Sequence, residues 1–212
     1  MPAPPGHTVI PVTKDGLLIL ETLLGKKFTI TPRGIFRLHL QLRHSDDIDN
    51  CDTGGFFLAS YILNIYKTSI ERLVNNVYHN NKNRFEFSVY DGDLYVRACQ
   101  GHSGKILEKL IPEHIYNIYT SNENVFHRTT HDVLEKITST DDSKNGLRPI
   151  GRQVHMATND GLARDKDSYP VKIIINVSLA RSLGITFYQA SNGVILSYDK
   201  IPLNCLSYYF FL

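Results

Sequence analysis

The 212-residue sequence has only three cysteines, no tryptophan and no long apolar run. Its cysteines are widely spaced and form no CxxC pair, which argues against a disulfide framework and a zinc site. Every apolar stretch is shorter than the roughly 18 residues that a membrane-spanning helix needs, so we expect no membrane partner. The first residues lack the basic-then-apolar layout of a secretory signal. These absences predict a reduced intracellular compartment, cytoplasmic or nuclear.

A strong excess of charge is also missing. The formal net charge is +2, with 21% charged and 42% hydrophobic residues. Such a composition is typical of a globular protein, and the length suffices for one large domain or two smaller lobes. Because the bulk charge is too small to bind nucleic acid by itself, any RNA contact must come from individually placed arginines.

A helix followed by a hairpin is predicted in the first half. From Thr68 to Asn80 the apolar residues have helical spacing, and Thr68 with Glu71 forms a capping box. Arg84 to Tyr90 and Leu94 to Ala98 alternate on either side of an Asp-Gly turn, which indicates an antiparallel hairpin. A second hairpin is predicted around the Ser-Asn-Gly turn that ends at Gly193. The half of the chain after Lys105 is expected to be strand-rich.

Arg97 opens the segment Arg-Ala-Cys-Gln-Gly-His-Ser that ends at Ser103. Strand alternation places Arg97 on the face opposite the apolar side chains of its strand. A guanidinium can hold a phosphate bidentately, and the Ser103 hydroxyl adds a donor. The alternative is a polar turn that follows a solvated arginine, and spacing alone leaves both interpretations open.

Three further segments combine arginine or histidine with polar neighbours. Arg43 and His44 end a predicted helix, where cations ordinarily meet unsatisfied carbonyls. His127 to Thr130 lies between a strand and a helix, where it could bind ribose or phosphate or simply cap the helix. Arg152 and His155 follow a loop as an arginine–histidine pair. The residue types alone therefore predict candidate anion sites and no defined reaction.

Four segments, in this order, resemble the NAD-dependent tRNA 2′-phosphotransferase family. They are LRH at Leu42–His44, RACQGHS at Arg97–Ser103, FHRTT at Phe126–Thr130 and GLRPIGRQVHMA at Gly146–Ala157. RxxQGHS is the most specific, and the likeness covers roughly Leu38 to Leu206. It implies an α+β fold with an N-terminal extension (1–34), a winged-helix-like RNA-binding lobe (35–105) and a β-rich, ADP-ribosyltransferase-like NAD-binding lobe (106–212).

The resemblance implies a two-step reaction. The RNA 2′-phosphate attacks C1″ of the NAD ribose and expels nicotinamide, after which the 2″-hydroxyl attacks that phosphate. The products are RNA with a 2′-hydroxyl and ADP-ribose 1″,2″-cyclic phosphate. The implied partners are NAD, consumed as a co-substrate, and a 2′-phosphorylated RNA, expected to be spliced tRNA. We expect no metal, and we expect the protein to be a monomer.

The resemblance also assigns the site residues. The implied catalytic set is Arg43, His44, Arg97 and Arg152, and the implied phosphate-binding set is Arg43, His44, Arg97, Gln100 and His102. The implied NAD-binding positions are Ser103, His127, Thr129, His155 and Val194. Of these, Val194 occupies the position where many other ADP-ribosyltransferases carry a catalytic glutamate.

This sequence departs from the family pattern at two points. Arg128 replaces a glycine, so its side chain either crowds the nucleotide or adds a phosphate contact. The Arg152-Gln-Val-His155 segment is one residue shorter than usual, which on a strand reverses the facing side unless a bulge compensates. Two rival functions follow. One is an ADP-ribosyltransferase that modifies nucleic-acid phosphates and stops after the first step, and the other is a non-catalytic RNA-binding module.

Overall fold

The computed structural model describes residues 1–31, 37–80, 82–141, 145–149 and 153–210. The chain forms two compact units, Met1–Tyr116 and Asn117–Leu212. Helices and small antiparallel sheets occur in both units, which confirms the predicted α+β class. Within the described ranges, no helix is long and apolar enough to cross a membrane.

The first unit combines helices with a sheet in the order β1-β3-β4-β2. Its elements are β1 (Thr8–Ile10), α1 (Lys14–Leu24), α2 (Leu38–His44), β2 (Phe57–Leu58), α3 (Ala59–Ile65), α4 (Ile70–Tyr78), β3 (Phe85–Tyr90), β4 (Asp93–Ala98) and α5 (Ile106–Lys109). Short 3₁₀ turns cover Ile48–Asn50 and Pro112–His114.

The predicted β3–β4 hairpin is confirmed. Asp91 and Gly92 both have positive φ, at 50° and 82°, as a two-residue primed turn requires. This turn fixes the register, in which Phe85 pairs with Ala98 and Phe87 with Val96. These apolar side chains are buried in the core of the unit, together with residues of the surrounding helices.

The predicted capping box at the start of α4 is wrong. The helix begins one residue later than that box requires, with Ser69 as its N-cap and no side-chain capping bond. The Thr68 amide instead donates to the carbonyl of Leu63, so Thr68 closes α3 rather than opening α4. The carboxylate of Glu71 pairs with Lys26 of the N-terminal segment.

The N-terminal residues, predicted as an extension, are part of the first unit. Strand β1 pairs with β3, with Thr8 opposite Val89. Thr13 caps α1 by accepting from the Gly16 amide at 3.2 Å. Leu20 of α1 is fully buried in the core of the unit. Residues 1–31 thus contribute both a strand and core side chains to this unit.

The first unit also continues beyond the predicted boundary at residue 105, to Tyr116. The His114 carbonyl accepts from Arg97 Nη1 at 2.8 Å. The ring of His114 makes a 2.7 Å hydrogen bond with the Thr53 hydroxyl. These contacts tie the 3₁₀ turn at Pro112–His114 to the sheet and to the loop before β2.

The second unit contains two small sheets, β5-β9-β10-β7 and β11-β8-β6. Its elements are β5 (Asn117–Ile118), β6 (Val125–Thr129), α6 (His131–Ile137), β7 (Val154–Met156), β8 (Val171–Ile175), α7 (Val177–Ser182), β9 (Tyr188–Gln189), β10 (Ile195–Ser197) and β11 (Leu206–Phe210). Main-chain hydrogen bonds between Phe126 and Ala157 link the two sheets. The predicted second hairpin is confirmed as β9–β10, with Gly193 at φ 86° in its turn.

Candidate active site

Two segments that are far apart in the sequence meet at the C-terminus of α2. Arg43 and His44 are the last residues of this helix, as the sequence predicts. The Ser103 amide donates to the Arg43 carbonyl at 2.9 Å. The Ser103 hydroxyl makes a 2.7 Å hydrogen bond with His44 Nδ1. The RACQGHS segment and the Arg43-His44 pair therefore form one local cluster.

Gly101 allows the Arg43 side chain to lie directly on the loop backbone. Its φ is +83°, and a Cβ built there would lie 3.3 Å from Arg43 Cζ. A larger residue would be strained in this conformation and would also press against the guanidinium. Arg43 is half-buried here, whereas His44 is exposed. Together they form an exposed imidazole beside a guanidinium held by the loop.

Gln100 and His102 of the same loop are less accessible. His102 is fully buried, and a Cβ built at Gly55 would lie 3.2 Å from its Nε2. Gln100 is half-buried. From this position the His102 ring packs against the loop that precedes β2, so it supports the Gly101–Ser103 loop from inside. Its predicted contact with RNA phosphate stays a prediction.

Arg97 lies on the predicted face of β4, but that face is covered. The residue is 0% exposed, and its guanidinium forms an ion pair with Glu86, which is 3% exposed. Arg97 Nε donates to Glu86 at 2.7 Å, and Nη1 donates to the carbonyls of Gly54 and His114 at 3.1 and 2.8 Å. Nη2 donates to the carbonyl of Pro2 at 2.6 Å. In this conformation Arg97 holds four parts of the first unit together.

The N-terminal segment forms the cover over this face. The ring of His7 stacks between Phe56 and Tyr90, with centroid distances of 4.9 Å to each. Its Nε2 lies 3.1 Å from a carboxylate oxygen of Asp52, and its Nδ1 makes a 2.8 Å hydrogen bond with the Ser88 hydroxyl. Burial lowers the pKa of His7. The two stacking contacts and the hydrogen bond with Ser88 hold the His7 ring in this cover.

Two of the predicted NAD-binding residues are linked within the second unit. His127 Nδ1 donates to the His155 carbonyl at 2.7 Å, and His155 Nδ1 donates to the Gln153 carbonyl at 2.9 Å. Each neutral ring therefore carries its proton on Nδ1 and has Nε2 as its acceptor. Both histidines are half-buried. This arrangement fixes both the orientation and the tautomer of the two imidazoles.

Thr129 and Val194, also predicted to bind NAD, lie close to these histidines in the strand pattern. Thr129 shares a face of β6 with His127 and is 2% exposed. Leu196 is the register partner of His155, and Val194, which is 7% exposed, lies two residues before it. Arg152, predicted as the fourth catalytic residue, lies outside the described residues.

Arg128 lies on the face of β6 opposite His127 and Thr129. Its side chain is buried and forms a 2.9 Å ion pair with Asp160. The guanidinium also lies 5.7 Å from the centroid of the Phe126 ring, and its hydrogen bond lowers the pKa of Asp160. The side chain that replaces the family glycine is thus directed away from the face of the predicted NAD-binding residues.

Sequence reasoning missed Glu86 as the partner of Arg97. The signal was present, because a two-residue Asp-Gly turn sets the register and places Glu86 directly opposite Arg97. A carboxylate opposite an arginine on one sheet face is a favourable cross-strand pair. The contributions of Pro2, Gly54 and His114 are backbone carbonyls, which no side-chain pattern indicates.

Among the described residues, no group of three or more histidine, cysteine, aspartate or glutamate side chains could hold a metal ion. The cysteines are free and buried. The predicted site residues that the structure brings into contact form two clusters, one around His44 and one around His127.

Comparison with known proteins assigns the chain to a family. Residues 37–199 match the model of the RNA 2′-phosphotransferase, Tpt1/KptA family. A Schizosaccharomyces pombe protein named as a tRNA 2′-phosphotransferase is 34% identical over 136 residues, which cover 60% of this chain and 35% of that protein. An Acaryochloris marina protein named as an RNA 2′-phosphotransferase is 34% identical over 130 residues, covering 59% of this chain and 64% of its own length.

A Burkholderia lata protein of the same name is 29% identical over 164 residues, covering 76% of this chain and 75% of that protein. The match with the first two relatives spans about one third and just under two thirds of their lengths. The family match covers more than half of this chain and includes the clusters around His44 and His127. The chain therefore belongs to the RNA 2′-phosphotransferase, Tpt1/KptA family.

Proposed function

We propose that this protein transfers an internal 2′-phosphate from RNA to NAD-derived ADP-ribose. The products are RNA with a 2′-hydroxyl, nicotinamide and ADP-ribose 1″,2″-cyclic phosphate. The observation that carries the proposal is the contact between Ser103 of the RACQGHS segment and His44 of the LRH segment. Fifty-nine positions separate the two residues, and both belong to the segments on which the family resemblance rests.

In the first step, a 2′-phosphate oxygen forms a bond to C1″ of the NAD ribose while the bond to nicotinamide breaks. The main demand on the protein is to hold this nucleophile in line, since nicotinamide leaves as a neutral molecule. Arg43 supports this role because its guanidinium is fixed on the Gly101 backbone. A planar guanidinium can bind two phosphate oxygens at once.

In the second step, the 2″-hydroxyl oxygen bonds to phosphorus and the RNA 2′-oxygen leaves. Negative charge accumulates on the phosphoryl oxygens, where fixed cationic donors are most effective. When Nδ1–H of a neutral His44 ring donates to the Ser103 hydroxyl, the bond orients the ring and makes Nε2 the proton-accepting nitrogen. His44 would then exchange protons at the attacking 2″-hydroxyl and the departing RNA 2′-oxygen.

Arg97 and Arg152 complete the proposed catalytic set. The proposed phosphate-binding set also includes Arg97, together with Gln100 and His102. Arg97 Nη2 is bound to the Pro2 carbonyl, so a phosphate contact there requires that bond to be exchanged. The family pattern supports Arg152 in this role.

We propose His127, Thr129, His155 and Val194 as the NAD-binding positions, with Ser103 as a neighbour. NAD supplies the electrophilic ribose carbon and the leaving group. The fit rests on the fixed imidazoles, whose Nδ1–H groups are held by carbonyls and whose Nε2 atoms can accept from ribose hydroxyls. Small, buried Val194 provides apolar packing where a general base is unnecessary, because the phosphate is already a nucleophile.

Features of each unit support the two-lobed fold that the family resemblance implies. The order α2-β2-α3-α4 followed by the β3–β4 hairpin supports a winged-helix-like first unit. Two small antiparallel sheets linked between β6 and β7 support an ADP-ribosyltransferase-like second unit. We propose the corresponding roles, RNA binding for the first unit and NAD binding for the second.

The proposal is tested by incubating the protein with labelled NAD and an RNA that carries one internal 2′-phosphate. We expect loss of the phosphate from RNA together with cyclic ADP-ribose phosphate, and no product from the same RNA without its 2′-phosphate. Accumulation of ADP-ribosylated RNA would indicate that the reaction stops after the first step. Binding of RNA without either product would indicate the non-catalytic alternative.

Arg43→Ala should abolish product formation, because it removes the guanidinium that the loop holds. Arg72→Ala provides a matched control, since Arg72 is an exposed arginine on α4 of the same unit. Equal activity of the two variants would contradict the assignment of Arg43.

A further inference from the structure

We propose that Arg37, His39 and Arg84 form a surface that binds the sugar-phosphate backbone of the RNA on either side of the 2′-phosphate. This inference rests on the proposed function, because it takes the cluster at His44 as the place where the 2′-phosphate is held. It adds a binding surface beyond the catalytic and NAD-binding residues described above, and we call it the flanking surface.

The flanking surface begins on α2. His39 and Arg43 are four residues apart on this helix, so their side chains lie on the same face. Arg37 is the residue immediately before the helix. Both Arg37 and His39 are exposed. One face of α2 therefore carries His39 and Arg43, and Arg37 adds an exposed positive charge at the start of the helix.

Arg84 joins this surface from the base of the β3–β4 hairpin. Its carbonyl accepts from the Cys99 amide at 2.9 Å, which places Arg84 beside the start of the Gln100–Ser103 loop. That loop carries Gly101, on which the Arg43 guanidinium packs. Two elements that are distant in sequence thus bring Arg43 and Arg84 next to the same loop.

The pKa of His39 reflects the proximity of these arginines. Partial desolvation of the His39 ring lowers its pKa, and the positive charges of Arg43, Arg37 and Arg84 lower it further. The arginines are therefore close enough to act on one imidazole. Such a concentration stands out in a chain whose formal net charge is only +2.

The chemistry of the substrate explains why RNA is the expected occupant. A nucleotide with an internal 2′-phosphate has a phosphodiester on each side, so more negative charge lies next to the reacting group. Arginines that bind phosphodiesters fix the position of a nucleic acid without reading its sequence. The flanking surface would hold the strand in register while Arg43 and His44 engage the 2′-phosphate.

The test compares Arg37→Ala, Arg84→Ala and the double variant with Arg72→Ala, the exposed arginine on α4. The Arg84 bond to Cys99 is a main-chain contact, so the substitution leaves it in place. The KM for a single-stranded RNA with one internal 2′-phosphate is measured over a range of NaCl concentrations. The same variants are assayed with a 2′-phosphorylated mononucleoside, which has no flanking phosphodiester.

We expect the KM for RNA to rise in both single variants and further in the double variant. The slope of log KM against log salt should fall by about 0.7 for each arginine removed, as for single-stranded phosphate contacts. The KM for NAD and for the mononucleoside should stay within about twofold of the unmodified protein, like every parameter of Arg72→Ala. An unchanged RNA salt slope, or an equal loss with the mononucleoside, would overturn the proposal.

Direct binding separates this inference from the reaction itself. Fluorescence anisotropy with the same labelled RNA, without NAD, measures the affinity and its salt slope for each variant. If the unmodified protein gives no product but the arginine variants still lose affinity and salt slope, the proposed reaction fails and the flanking surface stands. If affinity is unaffected, the flanking surface is wrong whether or not the reaction occurs.

Discussion

The ion pair between Glu86 and Arg97 offers a test of what Arg97 does. Glu86 is 3% exposed and Arg97 is 0% exposed, so removal of either partner leaves a buried charge without its counter-charge. Such a change typically costs about 3–5 kcal/mol of folding free energy. We therefore expect Glu86→Leu to lower the free energy of unfolding by about this amount.

The same substitution should behave differently when Arg97 is absent. Arg97→Met removes the charge and also the donors to the carbonyls of Pro2, Gly54 and His114. In that background Glu86 is a buried carboxylate without its guanidinium, so Glu86→Leu should be neutral or stabilising. The loss of the carbonyl contacts is common to the single and double Arg97 variants and cancels in this comparison.

The assay is urea unfolding followed by far-ultraviolet circular dichroism, with tyrosine fluorescence as a second probe because the chain has no tryptophan. The four proteins of the cycle give the coupling free energy, which we expect to exceed about 2 kcal/mol. If Glu86→Leu destabilises both backgrounds equally, the reasoning from a buried ion pair is refuted.

Activity of the double variant then separates two roles of Arg97. If Arg97 contacts the transferred phosphate, turnover should be lost even at temperatures where the double variant is fully folded. If Arg97 acts only by joining Glu86 to its carbonyl partners, turnover should recover in proportion to the folded fraction. Phosphotransfer by the double variant at the level of the unmodified protein would remove Arg97 from the proposed phosphate-binding set.

Three further predictions concern other positions. Gly101→Ala should reduce phosphotransfer far more than Gly104→Ala. Both glycines have positive φ, at 83° and 75°, so each substitution adds about 1–2 kcal/mol of strain, but only at Gly101 would the new Cβ meet Arg43. Equal losses of activity in the two variants would contradict this prediction. Burial lowers the pKa of His7 below 6.5, so on acidification the unfolded chain binds this proton before the folded protein does. The free energy of unfolding should therefore fall as the pH drops from 6.5 towards the pKa of the folded protein. In urea unfolding, His7→Gln should lose less of this free energy over the same pH range than the unmodified protein. Burial raises the pKa of Cys51 to about 11, so its thiol should not react with iodoacetamide at pH 8 while the protein is folded. Peptide mass spectrometry should detect alkylated Cys51 only after unfolding, and labelling of the folded protein would contradict this.

Much of the fold is encoded in local signals. The Asp-Gly and Asn-Gly turns each supply the positive φ that a tight hairpin needs, and alternation then fixes which side chains enter the core. The first residue of α4 is harder to predict than these turns, because Thr68 and Ser69 can both cap a helix. The choice between them depends on the Thr68 amide, which the end of α3 uses, and this is a tertiary constraint.

The candidate site was partly predictable for the same reason. Alternation correctly places Arg97 on the face opposite the core and Arg128 on the face opposite His127. Whether such a face is open depends on segments that are remote in sequence. Arg97 is covered by the Pro2 carbonyl, 95 positions away. The contact between His44 and Ser103 spans 59 positions. Only the family resemblance assigned both of their segments to one active site.

Arg43 and Arg97, both in the predicted phosphate-binding set, differ in their surroundings and therefore in which existing contacts a phosphate would have to replace. Arg43 is half-buried beside exposed His44. If a phosphate displaced Glu86 from Arg97, the phosphate and the Glu86 carboxylate would both be buried beside one guanidinium. If it displaced the carbonyl of Gly54 or His114, it would break a contact that holds a turn of the same unit. Exchange of the Pro2 carbonyl at Nη2 could leave the 2.6 Å ion pair between Nη2 and Glu86 in place. Pro2 belongs to a segment before the family match, which begins at residue 37. A direct phosphate contact by Arg97 thus depends on movement of the N-terminal segment.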